Sequence, residues 1–94
     1  MTNIKMLLGA NIRQYRTDLG ISQAQLAEKA GMAVNYLGLI ENGKKYPSAD
    51  MVERIAVNLG KDSIDLFALT PIQKNWKEAI LAKIEQVINE AISK

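Results

Sequence analysis

The sequence of this 94-residue chain predicts an all-α fold. Three observations carry that expectation. Apolar residues recur at spacings of three and four, the repeat of a helix face, with no period-two alternation of β-branched residues. Glycines and Ser or Pro residues punctuate these runs where helices stop and start. A hydrophobic content of 48% is enough to bury a core.

Ile4, Leu8, Ile12, Tyr15 and Leu19 form the stripe of a first helix, which Gly20 stops. Ser22 starts a second helix, with Gln25 at the capping-box spacing and Ile21 and Leu26 at staple positions. It is short, because Gly31 follows Ala30. A third helix spans about residues 33–41, with Leu37 and Ile40 facing inward, and ends at Asn42-Gly43. Ser48 caps a fourth, whose core face is Met51, Val52, Ile55, Ala56 and Leu59; Gly60 closes it. Asp62 or Ser63 opens a single-turn fifth helix holding Ile64, Leu66 and Phe67. Thr70-Pro71 is a boundary, since proline suits a first helical position. A long amphipathic helix then runs to about residue 92. The expected organisation is a domain over residues 1–69 and an additional C-terminal helix over 70–94.

Composition excludes several functions. Without cysteine there is no disulfide framework or thiolate site, and without histidine the commonest general base and metal ligand are missing. There is no Gly-rich phosphate loop, and Asp62 and Asp65 read as helix-start residues rather than a metal pair. The expectation is a protein that is not an enzyme and carries no cofactor. No apolar run is long enough for a membrane span and no signal peptide is evident, so a cytoplasmic protein without membrane partners is expected. Net charge is only +2, but the basic excess sits in residues 1–46, which weakly suggests a polyanionic partner.

Two short helices joined through Gly31 have the layout of a helix-turn-helix. The stretch LGISQAQLAEKAGMAVNYLGLIENGKKYPS, residues 19–48, resembles the Cro/lambda-repressor-type (XRE-like) helix-turn-helix family of transcriptional regulators. The matching pattern is Arg13-x-x-Arg16, Gly20, Ser22-Gln23, Leu26-Ala27, Gly31, Leu37-Gly38-x-Ile40-Glu41-x-Gly43 and Pro47-Ser48, continuing through IAVNLGKDSIDLF. The resemblance covers about residues 8–68 and implies a five-helix lambda-repressor-like DNA-binding domain.

It further implies that the third helix enters the major groove of double-stranded DNA. Ala33, Val34, Asn35, Gly38 and Leu39 match base-facing positions. Gln23, Tyr36, Asn42, Lys44, Lys45 and Tyr46 are expected at phosphates. Arg16 matches the helix-1 partner of Glu41, a carboxylate that its own helix C-terminus disfavours. Two departures stand out: Gly38 replaces the usual serine, and Ala33 replaces the usual serine or threonine cap. The implied function is a sequence-specific repressor acting on an inverted repeat. The same fold also serves antitoxins and other modules that bind a partner protein.

The C-terminal helix is surplus to that domain. Ile80, Ile84, Val87 and Ala91 lie four, three and four apart, a coiled-coil-like seam that Trp76, Ile88 and Ile92 widen. Such a face either folds back on the domain or pairs with another chain. Pairing with a second copy is the expectation, because a reader of inverted repeats needs a two-fold interface; a toxin or other regulatory protein is the alternative occupant.

Overall fold

The computed structural model describes residues 3–69 and 76–92, with only the backbone of residues 76–80. The elements are α1 (Ile4–Asp18), α2 (Gln23–Ala30), α3 (Val34–Glu41), α4 (Ala49–Asn58), a 3-10 turn (Ser63–Phe67) and α5 (Trp76–Ile92). Local sequence explains most boundaries. Asn3 caps α1, its side chain accepting from the amides of Lys5 and Met6. Ser22 Oγ accepts from Gln25 N at 3.1 Å while Gln25 Oε1 accepts from Ser22 N at 2.8 Å, a reciprocal cap. Ser48 Oγ accepts from Met51 N at 3.2 Å at the start of α4. Gly31 ends α2 at φ 70°, a left-handed conformation that side chains with a Cβ resist. The Thr70-Pro71 boundary lies outside the described residues.

The core gathers Leu8, Ile12 and Tyr15 of α1, Leu26, Ala27 and Ala30 of α2, Leu37 and Ile40 of α3, and Val52, Ile55 and Ala56 of α4, with Leu59 and Leu66. α1 lies against α3 and the 3-10 turn, and α2 against α3 and α4. The α1 stripe is narrower than its sequence suggests: Ile4 and Leu19, at its ends, are 53% and 54% exposed. The fifth element is a 3-10 turn rather than an α-helical one, and of its apolar residues only Leu66 is fully buried, while Ile64 is exposed and Phe67 half-buried.

Two residues that the apolar pattern passes over set how α1 sits. Asn11 is buried, and its Nδ2 donates to Leu66 O at 2.8 Å and Ala68 O at 2.7 Å. One side chain thus satisfies two carbonyls of the closing segment, and Tyr15 adds a bond from its hydroxyl to Asp65 O at 3.2 Å. Gly9 is the second. A Cβ there would lie 2.2 Å from Ile40 O and 2.7 Å from Glu41 O, so α1 rests directly on the last carbonyls of α3.

Gly9→Ala forces backbone apart at the α1–α3 joint and lowers stability by about 3 kcal/mol, the upper part of the range for overpacked cores. Urea unfolding followed by circular dichroism measures it; a loss below about 0.5 kcal/mol would mean that the two helices are not held in contact there.

Candidate nucleic-acid interface

α2 and α3 are joined by a turn that Gly31 makes possible and that Met32 N closes by donating to Ala27 O at 2.9 Å. α3 then divides cleanly. Leu37, Ile40 and Glu41 are buried, whereas Ala33, Val34, Asn35 and Leu39 are exposed and Gly38 is half-buried. The outward set is the one expected at base edges. Asn35 is its one directional polar head; Val34 and Leu39 present apolar surface. Ala33 occupies the N-cap with no side-chain hydrogen bond, as its lack of a polar atom dictates.

The loop after α3 projects Asn42, Lys44, Lys45 and Tyr46 into solvent. Its backbone is held: Lys44 N donates to Leu39 O at 2.9 Å, Lys45 N to the same oxygen at 3.3 Å, and Pro47 is buried. The two lysines therefore stand on an anchored turn beside α3. Tyr36 is placed differently from these loop residues, half-buried and packed against the core.

Behind this edge lies a charged network. Arg16 Nε donates to Glu41 Oε2 at 2.7 Å and Nη2 to Oε1 at 2.9 Å, a bidentate pair of which Glu41 is almost wholly buried. Arg16 Nη1 donates to Ile21 O at 2.9 Å, just ahead of α2. The hydrogen bond to Glu41, reinforced by its charge, raises the Arg16 guanidinium above its ordinary range against the opposing effect of burial. A raised pKa of this kind contributes stability at every pH below the ordinary arginine value and loses it only at extreme alkalinity, so the guanidinium stays charged under all usual conditions.

Gln23 joins the same network, its Nε2 donating to Glu41 Oε1 at 3.0 Å. One of the two N–H donors of the Gln23 amide is thus engaged by Glu41. Sequence reasoning assigned Glu41 one partner; a buried carboxylate at a helix C-terminus has acceptor capacity for more, which was the available signal. The described residues hold no group of three or more acidic, His or Cys side chains fit for a metal ion.

α5 forms a second feature. Every side chain from residue 81 to 92 is exposed, with Ile84 and Ile88 at 50% and Val87 at 65%. Leu81, three residues before Ile84 and seven before Ile88, belongs to the same stripe and was not among the expected seam residues. Ala91 is exposed too, while the side chains of Trp76 and Ile80 lie outside the described residues. Among the described residues no helix is long and apolar enough to cross a membrane.

Comparison with known proteins agrees with this geometry. Residues 12–66 match the helix-turn-helix family. The immF control region 10 kDa protein of Bacillus phage phi105 is 36% identical over 66 residues, 70% of this chain and 72% of that protein. The restriction-modification controller protein C.AhdI of Aeromonas hydrophila superposes with a TM-score of 0.65 at 30% identity, covering 67% of this chain and 96% of that one. A chain of the SinR–SinI protein complex superposes with a TM-score of 0.66 at 26% identity, covering 92% of this chain and 91% of that one. The chain belongs to the XRE-like helix-turn-helix family of DNA-binding transcriptional regulators, not to a family of enzymes.

Removing either charge of the buried pair strands the other. Arg16→Ala or Glu41→Ala each lowers stability by about 3–5 kcal/mol, as for buried pairs. The double variant loses much less than the sum. A double-mutant cycle in urea should give a coupling energy clearly above the about 0–1 kcal/mol of exposed pairs; additive losses would place the interaction in the surface class.

Proposed function

We propose that the chain regulates transcription as a repressor, binding an inverted-repeat duplex DNA site as a homodimer. The observation that carries this reading is the exposed strip of Val34, Asn35 and Leu39 on α3, set beside the anchored basic turn of Lys44 and Lys45. In the major groove the Asn35 amide pairs with both edge groups of an adenine, and Val34 and Leu39 contact thymine methyls. Ala33 and Gly38 keep the approach close. Lys44 and Lys45, with Asn42 and Tyr46, hold phosphates of the flanking backbone and release counterions.

So few base contacts give modest discrimination, so specific binding requires two copies on one site. Residues 1–69 serve as the reading domain and 70–94 as the pairing helix. The exposed face of Leu81, Ile84, Val87, Ile88 and Ala91 supports pairing, since burial against a second copy contributes about 25 cal/mol per Å² of apolar surface. The chain that is similar over nearly the whole length is found in a complex of two different proteins, SinR and SinI, which favours as second reading a foreign protein on this same face.

Selection from a random duplex pool should return inverted half-sites about one helical turn apart and rich in A·T. Asn35→Ala should relax one position per half-site by about 1–3 kcal/mol. Lys44→Ala and Lys45→Ala should instead weaken all sequences alike and flatten the salt dependence by roughly one unit each. Selected sites with G·C at every contacted position, or an unchanged salt slope, would contradict these assignments.

In sedimentation the full chain should be a dimer, and a truncation ending at Ala68 a monomer that binds the selected site far more weakly. A monomeric full chain that dimerises on no DNA would overturn the pairing, and stoichiometric capture of a foreign protein in its place would establish the second reading.

A further inference from the structure

The last turn of α3 and the residues after it run along one side of α1 toward its start. The carbonyls of Ile40 and Glu41 lie over Gly9, and Gly43 lies over Met6: a Cβ on Gly43 would stand 2.8 Å from Met6 Cγ and 3.1 Å from Met6 Cα. Lys5 precedes Met6 and Lys44 follows Gly43, so each is the chain neighbour of a residue in this contact. Lys5 also shares a helix face with Gly9, four residues on, which is the face turned toward the end of α3. Lys5, Lys44 and Lys45, all exposed, are thereby gathered at one end of the α1–α3 joint. The domain does not answer their charge. Among the described residues none of the three pairs with a carboxylate, the first turn of α1 holds no acidic residue, and Glu41 is already held by Arg16 and Gln23. A cation in the first turn of a helix is opposed by the helix dipole, so the charge of Lys5 does not stabilise its own helix.

From this juxtaposition we infer that Lys5 is a further DNA-contacting residue: beside Lys44 and Lys45, its ammonium holds a phosphate of the same strand. The inference rests on the DNA-binding reading above and adds α1 to an interface otherwise built from α3 and the turn after it. Lys5 lies ahead of residue 12, where the family match begins. Cations gathered without counter-charges on an anchored backbone are the electrostatic footprint of a polyanion partner. An ammonium meets a phosphate as a point charge and reads no base edge. Lys5 therefore adds affinity and salt dependence, and leaves sequence preference to α3. Gly43 acquires a second role beside its left-handed φ of 75°: without a Cβ it lets the basic turn settle on Met6 and so brings Lys44 to Lys5.

The test measures binding of the full chain to the selected duplex and to a random one over a range of salt, for the wild type, Lys5→Ala, Lys44→Ala and, as control, Lys29→Ala. Lys29 is exposed in the last turn of α2 and carries the same charge outside the cluster. Lys5→Ala should flatten the slope of log K against log salt by roughly 0.9 per bound chain on both duplexes, as Lys44→Ala does, and keep the Asn35-dependent preference. Ethylation of the duplex phosphates should reveal one interfering phosphate per half-site that ceases to interfere in Lys5→Ala, next to the one lost in Lys44→Ala. Lys29→Ala should change neither readout. Alanine at an exposed helix position leaves the fold intact, which thermal unfolding checks, and Lys5→Gln, keeping the length and removing the charge, should repeat the result. A slope that Lys5→Ala and Lys5→Gln leave unchanged, or flatten no more than Lys29→Ala, would make Lys5 a solvated charge and overturn the inference. A wild-type chain that binds no duplex overturns the DNA-binding reading and this inference with it, whereas binding whose slope depends on Lys44 and not on Lys5 overturns this inference alone.

Discussion

Glu41 stands at the end of α3, where the helix dipole disfavours a negative charge and burial removes its water. Arg16 from α1 answers with two hydrogen bonds, and Gln23 from α2 with a third. Such a pair is weak evidence for stability as such, because desolvation offsets much of its attraction. Its effect is geometric. A bidentate fork has one good orientation, so it sets the angle and register at which α1, α2 and α3 meet. Gly9 completes the joint by letting the α1 backbone rest on the carbonyls of Ile40 and Glu41. The exposed edge of α3 is thereby mounted on a rigid support rather than on interchangeable apolar contacts.

The chain exposes apolar surface in two places for unlike reasons. On α3, Val34 and Leu39 are exposed single side chains, which under the proposed reading would meet thymine methyls. On α5, Leu81, Ile84, Val87 and Ile88 form a continuous stripe whose flanks are charged, the form of a protein–protein seam. The first lies within the residues that match the family model, and the second beyond residue 66, where that match ends.

Features governed by near neighbours were legible in the sequence. Ser22 with Gln25 announced a reciprocal cap, and Gly31 a left-handed turn, because each depends on residues within one helical turn. The Arg16–Glu41 meeting was legible through the family resemblance and because a carboxylate at a helix end demands compensation. Asn11 escaped although it falls on the buried face between Leu8 and Tyr15; polar type outweighed position, and its partners lie more than fifty residues away. Gly9 escaped because a close approach between helices leaves no local signature. The tie of Gln23 to Glu41 escaped because a helix-starting glutamine has an equally good local role. Leu81 was legible by spacing and simply lay beside a stripe already drawn through Ile80 and Ile84.

Ala33 gives α3 no side-chain cap, so the amides of Val34 and Asn35 receive no partner from it. The two ends of α3 are thus fastened unequally: the C-terminal end is locked by the charged network, whereas the N-terminal turn has no side-chain cap and is held by the packing of Tyr36 and Leu37. Local opening costs least at such an end, and its amide protons exchange first. That turn carries Val34 and Asn35. Under the proposed reading of Val34 and Asn35, base contacts at a matching sequence would order that turn, and their energy would have to offset the lost chain entropy before any surplus appeared as affinity. A mismatched site would forfeit the contact, so discrimination would be set partly by the ordering of one helical turn.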